Sequence, residues 1–246
     1  MKPILDPLHL PVLRKFLQPD TLIAFDYDGT LAPIVGDPGC AEMRPRTRDL
    51  LRHVAMKYPT VVITGRKRLE ALGFLGGIPL FEVIGNHGAE NRGAVPRHII
   101  RRVAEWRQEL EKRLGAMEGV ALEDKCYSLS VHYRRSGDGD AVSKIISEIE
   151  NLEGARWIGG KSVVNIVPDE APGKGEALLR LCKRLGSPRS IFVGDDDTDE
   201  DVFAMTGTSP VLGIRVGSTE NTAADYYIND QTDIDPLLNT MMEPNL

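Results

Sequence analysis

The sequence predicts an α/β protein in which a doubly wound parallel sheet is interrupted by an inserted α+β domain. Short, mostly apolar runs occur at 22–25, 60–63 and 190–193. Runs of this kind, closed by a turn, are typical of strands buried on both faces. Between 96 and 168 the pattern changes to helix, strand, strand, repeated once. We therefore predict a Rossmann-like core over 1–95 and 169–246 and an inserted domain over 96–168.

Helices and strands alternate along the first part of the chain. The predicted order is helix 8–17, strand 22–25, helix 45–57, strand 60–63, helix 66–72 and strand 81–84. The segment 33–39 is rich in Pro and Gly, so we expect a loop there. This alternation predicts parallel pairing of the strands.

The inserted segment carries two amphipathic helices and two pairs of strands. The predicted helices are 97–114 and 141–152, and the predicted strands are 120–122, 127–133, 157–158 and 162–167. Gly159 and Gly160 are expected to join the last two strands. Trp106 and Trp157 stand among apolar positions, so we predict that both lie in a core. The parallel pattern then resumes with helix 175–185, strands 190–193, 211–216 and 226–228, and helix 233–241.

Composition narrows the class of protein. The chain has 246 residues, of which 41% are apolar, and a formal net charge of −6, so we expect a sizeable core and no nucleic-acid partner. No run approaches the roughly 20 apolar residues of a membrane span, and residues 1–20 lack a signal pattern, so we expect no membrane association. Three scattered cysteines, Cys40, Cys126 and Cys182, favour a reducing, cytoplasmic setting.

Residues with reactive side chains follow the predicted strands. Ligands of open parallel sheets bind at the carboxyl ends of the strands. Those ends, and the start of one later helix, carry Asp26, Asp28, Thr64, Gly65, Asn86, His87, Asp195, Asp196, Asp199 and Lys174. One site would thus combine carboxylates, a hydroxyl and an ammonium group, which suits phosphoryl transfer with a metal.

Asp26 and Asp28 are the strongest sign of a metal. Side chains two residues apart in a strand point the same way, and burying two close carboxylates uncompensated is costly. A divalent cation relieves that cost, and Mg²⁺ prefers carboxylate and backbone oxygens. An isolated Asp-x-Asp-Gly is as often an ordinary surface turn, but the apolar run before Asp26 argues against a turn.

Four short motifs resemble those of the haloacid dehalogenase superfamily. In chain order they are Asp26-Tyr27-Asp28-Gly29-Thr30, Thr64-Gly65-Arg66, Lys174 and Gly194-Asp195-Asp196. The inserted domain lies between the second and third motifs, where the larger cap of that superfamily sits. The resemblance implies a hydrolase core over 1–95 and 169–246 with a cap over 96–168.

Further stretches are similar to trehalose-6-phosphate phosphatases. They are Gly85-Asn86-His87-Gly88-Ala89-Glu90, Glu123-Asp124-Lys125, His132-Tyr133-Arg134 and Gly194-Asp195-Asp196-Asp197-Thr198-Asp199-Glu200. This resemblance covers about residues 22–216. It implies an enzyme that hydrolyses a small-molecule sugar phosphate with Mg²⁺ as its cofactor.

The resemblance also implies roles for the core residues. Asp26 would be the nucleophile that forms an aspartyl-phosphate, and Asp28 would be the general acid and then the base. Mg²⁺ would be held by the Asp26 carboxylate, the Asp28 carbonyl and Asp195. Thr64 and Lys174 would hold the phosphoryl group, and Asp196 and Asp199 would orient Lys174 or a bound water. The remaining residues would contact the substrate: Gly65, Arg66, Asn86 and His87. Alternatively, His87 is a structural turn residue and Arg66 forms a salt bridge at a helix start.

Sugar contacts are expected from the cap. The residues concerned are Glu123, Lys125, Arg134, Lys161 and Asn165. The simpler alternative for the charged ones is a solvated strand face. Asn165 departs from the family pattern, which usually has a Glu that hydrogen-bonds the sugar. The departure leaves the catalytic assignment intact but leaves the identity of the sugar open.

Two alternative functions remain at this point. One is a phosphatase of another phosphorylated glycoside or monosaccharide, with the same mechanism. The other is a sugar-phosphate sensor that has lost catalysis, which would predict a broken motif. Asp26, Asp28, Lys174 and Asp195 are all present, so the sequence favours an enzyme.

Overall fold

The chain divides into two compact units. The computed structural model describes residues 1–93, 96–136, 140–160, 162–206 and 210–243. The first unit comprises Met1–Asn91 and Gly173–Leu246, and the second comprises Arg92–Pro172. The inserted domain predicted over 96–168 falls within the second unit.

A seven-stranded sheet forms the centre of the first unit. Its strands are β1 (Lys2–Pro3), β2 (Leu22–Phe25), β3 (Thr60–Ile63), β4 (Glu82–Ile84), β9 (Ser190–Gly194), β10 (Val211–Val216) and β11 (Tyr226–Ile228). They lie in the order β1-β11-β10-β9-β2-β3-β4, and every neighbouring pair is parallel. The predicted parallel sheet is therefore confirmed.

Helices cover both faces of this sheet. They are α1 (Leu10–Phe16), α2 (Pro45–Lys57), α3 (Arg68–Leu75), α6 (Lys174–Leu185), α7 (Glu200–Phe203) and α8 (Ile234–Met242). Ile23 and Phe25 of β2 pack in one apolar cluster with α2 and α8, whereas Leu22 and Ala24 pack in another with α6. Successive strand residues point to opposite faces, so β2 must be apolar throughout.

Two details of the first unit differ from the sequence prediction. Helix α3 begins at Arg68 rather than at Arg66, because Arg66 belongs to a turn whose carbonyl accepts from Asn86 N at 2.8 Å. The strand Lys2–Pro3 pairs with β11, and a two-residue strand is too short to show a periodicity.

The second unit has an antiparallel sheet with two helices on one face. Its strands are β5 (Ala121–Asp124), β6 (Leu129–His132), β7 (Ala155–Gly160) and β8 (Val163–Pro168), in the order β5-β6-β8-β7, and its helices are α4 (Arg97–Leu114) and α5 (Ala141–Glu150). Leu129, Val131 and Ile166 pack against the apolar sides of these helices. In the described part of the chain, no helix is both long and apolar enough for a membrane crossing.

Two predictions about the second unit were wrong. Gly159 and Gly160 lie inside β7, paired with Val164 and Val163, rather than in a turn. Trp157, predicted to lie in the core, is 42% exposed, whereas Trp106 is buried as predicted. Trp157 stands on β7, which is an edge strand of the four-stranded sheet. Only β8 lies beside β7, so no strand covers Trp157 on its other side.

Candidate active site

Four neighbouring strands of the first unit end beside one another, and a predicted site residue follows each. Asp26 follows β2, Thr64 follows β3 and Asp195 follows β9, while Asn86 comes two residues after β4. Parallel strands present their carboxyl ends at one edge of a sheet. Lys174, the first residue of α6, reaches the same edge and contacts Asp26.

Lys174 lies between two carboxylates. Its Nζ donates to Asp26 Oδ1 at 2.9 Å and to Asp199 Oδ1 at 2.6 Å. The exposed fractions of the side chains are 2% for Lys174, 7% for Asp26 and 0% for Asp199. Buried charges persist when they are paired and hydrogen-bonded. Lys174 therefore holds the predicted nucleophile in one position.

Burial and neighbouring charges determine the protonation of this group. Burial has the largest effect on the pKa of Asp26 and raises it well above its ordinary value. The carboxylates of Asp199, Asp195 and Asp28 raise this pKa further, and Lys174 opposes them. Burial also works to lower the pKa of Lys174, but attraction to Asp199 and Asp26 outweighs it and raises the pKa. Lys174 is therefore charged at neutral pH.

Three acidic residues form a group that can hold a metal ion. One carboxylate oxygen each from Asp26, Asp195 and Asp199 lies within 4.8 Å of the others. Four carboxylates, including Asp28, lie at this edge beside two cations. Asp26 and Asp199 pair with Lys174, and Asp28 pairs with Arg66. Two negative charges remain in excess, and oxygen ligands with excess negative charge fit a hard divalent cation. The metal ligand predicted from Asp28 is its backbone carbonyl, and its carboxylate pairs with Arg66.

Gly29 allows Asp195 to approach the end of β2. Gly29 has a φ of +83°, and a Cβ atom at this position would overlap the Asp195 carboxylate. Thr30 Oγ1 donates to Asp195 Oδ1 at 3.3 Å. The Gly-Thr pair that follows Asp28 therefore positions an acidic residue that lies 165 residues after Thr30 in the chain.

The loop after β9 is held by its own side chains. Asp196 Oδ1 accepts from Asp197 N at 2.9 Å, and Asp199 Oδ2 accepts from Asp196 N at 3.0 Å. Arg215, which the sequence analysis missed, donates to Glu200 Oε1 at 2.7 Å and to the Asp196 carbonyl at 3.4 Å. Asp199 thus uses one oxygen to hold the loop and the other in the ion pair described above.

The loops after β3 and β4 are locked together. His87 N donates to the Thr64 carbonyl at 3.0 Å, and a Cβ atom on Gly65 would overlap the His87 ring. Asn86 and His87 both have left-handed φ values, 49° and 57°. The buried Asn86 amide donates to Glu90 Oε2 at 2.7 Å. Glu90 was not among the predicted contacts, although it ends the stretch that carried the resemblance.

Arg66 faces Asp28. Its Nε and Nη2 donate to Asp28 Oδ2 and Oδ1 at 2.7 and 2.6 Å. Nη2 also donates to the Pro38 carbonyl at 2.8 Å, and Nη1 donates to Glu70. The Arg66 side chain is 7% exposed and that of Asp28 is 37% exposed. Arg66 was predicted as a substrate contact, and the structure directs its donors to protein oxygens.

In the second unit, predicted sugar contacts form a row across the sheet. Glu123 is paired with Ser130, and Ser130 with Asn165, so the three lie on the face opposite the helices. Ser130 Oγ donates to Asn165 Oδ1 at 2.6 Å. His132 Nε2 lies 3.0 Å from Glu123 Oε2. We call Glu123, Ser130, His132 and Asn165 the polar face of this sheet.

The other predicted cap residues lie beside the polar face or outside the described residues. Lys125 follows β5, and its backbone N–H donates to the Ser128 carbonyl at 3.0 Å. Arg134 is exposed in the turn after β6. Lys161 lies outside the residues that the structure describes.

The fold of this chain is shared with phosphatases of the haloacid dehalogenase superfamily. Among solved structures of that class, a phosphatase of Bacteroides thetaiotaomicron aligns with a TM-score of 0.62 and 17% identity, covering 90% of this chain and 94% of the other. At such identity the likeness concerns the fold alone. The predicted fold class is therefore confirmed.

The chain belongs to the trehalose-phosphatase family, whose profile matches residues 24–232. A trehalose 6-phosphate phosphatase of Zea mays is 31% identical over 261 residues, covering 93% of this chain and 71% of the relative. A probable trehalose-phosphate phosphatase of Oryza sativa is 30% identical, covering 89% of this chain and 65% of the relative. The C-terminal domain of trehalose-6-phosphate phosphatase from C. albicans aligns with a TM-score of 0.80 and 21% identity, covering 98% of each chain.

Proposed function

We propose that this protein is a Mg²⁺-dependent phosphatase that hydrolyses trehalose 6-phosphate through an aspartyl-phosphate on Asp26. The main support is the buried group in which Lys174 bridges Asp26 and Asp199 beside Asp195. The named relatives of Zea mays and Oryza sativa suggest the substrate. Asp26, the Asp28 carbonyl and Asp195 would hold the Mg²⁺, which when bound offsets the charge between nucleophile and phosphate.

The proposed reaction has two steps. In the first, an Asp26 carboxylate oxygen attacks phosphorus while the bond from phosphorus to the sugar oxygen breaks. Asp28 donates a proton to that sugar oxygen as it leaves. In the second, a water molecule attacks phosphorus, Asp28 accepts its proton, and Asp26 is released with inorganic phosphate. Each step requires Asp26 in a fixed position, which its hydrogen bond from Lys174 supports.

The phosphoryl oxygens need positive or hydrogen-bonding groups. Thr64 and Gly65 follow β3 next to Asp26, and Lys174 stays charged because Asp199 and Asp26 outweigh the effect of burial on its pKa. We assign phosphate binding to Thr64, Gly65 and Lys174. His87 packs against Gly65, and we propose that it shapes this turn and contacts the substrate.

We assign sugar recognition to residues of the second unit. Glu123, Lys125, Arg134, Lys161 and Asn165 are the proposed contacts. Their polar side chains can form hydrogen bonds with the hydroxyl groups of a disaccharide. Asn165 favours the alternative of a different sugar phosphate, because its carbonyl oxygen accepts from Ser130 where the family usually offers a Glu carboxylate.

We also propose a cytoplasmic location. Cys40, Cys126 and Cys182 are all free thiols. Free thiols are ordinary in reducing compartments. If the protein were found exported from the cell with one of these cysteines in an intermolecular disulfide, that result would argue against a cytoplasmic location.

Substrate and mechanism can be tested together. Phosphate release from trehalose 6-phosphate, sucrose 6-phosphate, glucose 6-phosphate and p-nitrophenyl phosphate should be measured with Mg²⁺, with EDTA, and after Mg²⁺ is restored. We expect trehalose 6-phosphate to have the highest kcat/KM and EDTA to remove activity reversibly. Hydroxylamine added during turnover should convert Asp26 into a hydroxamate, seen by peptide mass spectrometry. A higher kcat/KM for another sugar phosphate would overturn the substrate but keep the mechanism.

A further inference from the structure

The Arg66 guanidinium occupies a defined place beside two aromatic rings. Its Cζ lies 5.5 Å from the centre of the Tyr27 ring and 4.8 Å from that of Phe74. The two rings stack at 5.6 Å, and Tyr27 OH donates to the Ala41 carbonyl at 2.7 Å. Arg66 is therefore held by packing as well as by hydrogen bonds. A guanidinium held in one position can in turn hold a hydrogen-bonded group in one orientation.

The group that Arg66 binds is Asp28. The two hydrogen bonds, at 2.7 and 2.6 Å, use both carboxylate oxygens and so fix the plane of the carboxyl group. Each oxygen keeps a second lone pair, so the contact leaves a position for a proton. The Asp28 side chain is 37% exposed, and without this partner its carboxyl group would rotate among several orientations.

Arg66 also connects Asp28 to the proposed phosphate-binding turn. Arg66 follows Thr64 and Gly65 directly, and its backbone N–H donates to Thr64 Oγ1 at 3.2 Å. The same residue thus touches the proposed phosphate site through its backbone and Asp28 through its side chain. Phosphate and proton donor are thereby held at a set separation, which proton transfer requires.

We propose that Arg66 is a positioning residue that orients the Asp28 carboxyl group for proton transfer. This rests on the proposed role of Asp28 as the acid and base. Asp28 donates its proton as the bond from phosphorus to the leaving oxygen breaks, and regains one from the attacking water. Arg66 itself exchanges no proton and does not contact the substrate.

The test compares leaving groups in Arg66→Lys, which keeps the positive charge but loses the bidentate contact. We expect kcat for trehalose 6-phosphate and phenyl phosphate to fall about thirtyfold, with KM within about twofold of wild type. For p-nitrophenyl phosphate, whose leaving group needs little protonation, kcat should fall only about threefold. A raised KM for all substrates would instead make Arg66 a substrate contact, and equal losses of kcat would make it structural.

Two further variants protect this test. In an Asp28→Asn background, Arg66→Lys should change kcat by less than about twofold, because the group it positions is gone; an undiminished loss there would overturn the proposal. If Arg66→Lys fails to fold, Glu70→Gln removes one anchor of Arg66 and should show the same leaving-group pattern at about threefold. The phenyl phosphate comparison does not depend on the sugar, so a wrong substrate assignment would leave it valid.

Discussion

The strand-end site of the first unit and the polar face of the second unit hold their polar groups in different ways. In the first unit, Lys174, Asp26 and Asp199 are buried and joined by ion pairs. On the polar face, the buried Ser130 and Asn165 share a hydrogen bond between neutral groups. The side chains of His132 and Glu123 are 43% and 39% exposed. Removing one partner of a buried ion pair leaves an uncompensated charge, whereas exposed pairs contribute little.

In the proposed function, the strand-end site carries out the reaction and the polar face selects the sugar. Changes at the strand-end site should affect every phosphate ester, because all of them would meet the same proposed nucleophile. Changes on or beside the polar face should affect only substrates that carry the recognised sugar. Four substitutions test this contrast between the two regions, and they are given in order of decreasing expected effect.

Asp26→Asn should lower kcat for every substrate by at least about a thousandfold, because an amide cannot form the acyl phosphate. The same substitution should not lower the Tm of the metal-free protein at pH 7. The pKa of Asp26 is raised in the folded state, so ionised Asp26 costs stability once the pH exceeds its unfolded value of about 3.9. Asn removes that cost, and Lys174 keeps its buried ion pair with Asp199, so no charge is left uncompensated. We expect a Tm equal to or above that of wild type.

Calorimetry at pH 4 and pH 7 with and without Mg²⁺ checks this prediction. Any gain in Tm from Asp26→Asn should be larger at pH 7 than at pH 4. Asp49→Asn, at an exposed surface ion pair, serves as the control and should change neither activity nor Tm. Near-normal turnover by Asp26→Asn would contradict the mechanism.

Gly29→Ala should lower kcat about a hundredfold for sugar and aryl phosphates alike, because a displaced catalytic group typically costs that much. Its Cβ atom would overlap the Asp195 carboxylate, and its φ of +83° is unfavourable for Ala. Gly36→Ala is the matched control, since a Cβ atom there meets nothing within 4 Å. Steady-state kinetics with a Mg²⁺ titration should show weaker Mg²⁺ activation in Gly29→Ala. Unchanged Mg²⁺ dependence would count against a metal at Asp195.

Lys125→Ala should lower kcat/KM for trehalose 6-phosphate about tenfold, the loss of one hydrogen bond to a charged donor. Hydrolysis of p-nitrophenyl phosphate should stay within about twofold of wild type, because that substrate has no sugar hydroxyls to bind. Arg101→Ala, at an 83% exposed position in the same unit, is the control. Equal losses of kcat/KM for both substrates would show that Lys125 has a structural role. The contrast between the strand-end site and the polar face would then fail.

Asn165→Asp should have the smallest effect, an increase of about fivefold in kcat/KM for trehalose 6-phosphate. The substitution keeps the size and the Oδ1 acceptor used by Ser130, and at this buried position it turns the amide nitrogen into a charged acceptor oxygen. Kinetics on trehalose 6-phosphate and glucose 6-phosphate would measure the change in preference. A decrease for trehalose 6-phosphate would mean that the amide donor is required and that the sugar differs from the family's.

Much of the first unit was predictable because its signals are local. An apolar strand such as Leu22–Phe25 can be buried only from both sides, and the polar residue after it must lie at the sheet edge. The positions of Asp26, Thr64 and Asp195 at strand ends therefore followed from the sequence alone. The insert was also visible, because its periodicities differ from those of the core.

The partners of the side chains at the site depend on the tertiary structure. Nothing near Arg66 in the sequence indicates that it binds Asp28, which lies 38 residues away, and Lys174 meets Asp26 across 148 residues. Trp157 looks apolar in its local context and yet lies exposed on an edge strand. Local patterns set which face of a strand or helix is apolar, whereas long-range contacts depend on how the loops fold, which no short stretch of sequence encodes.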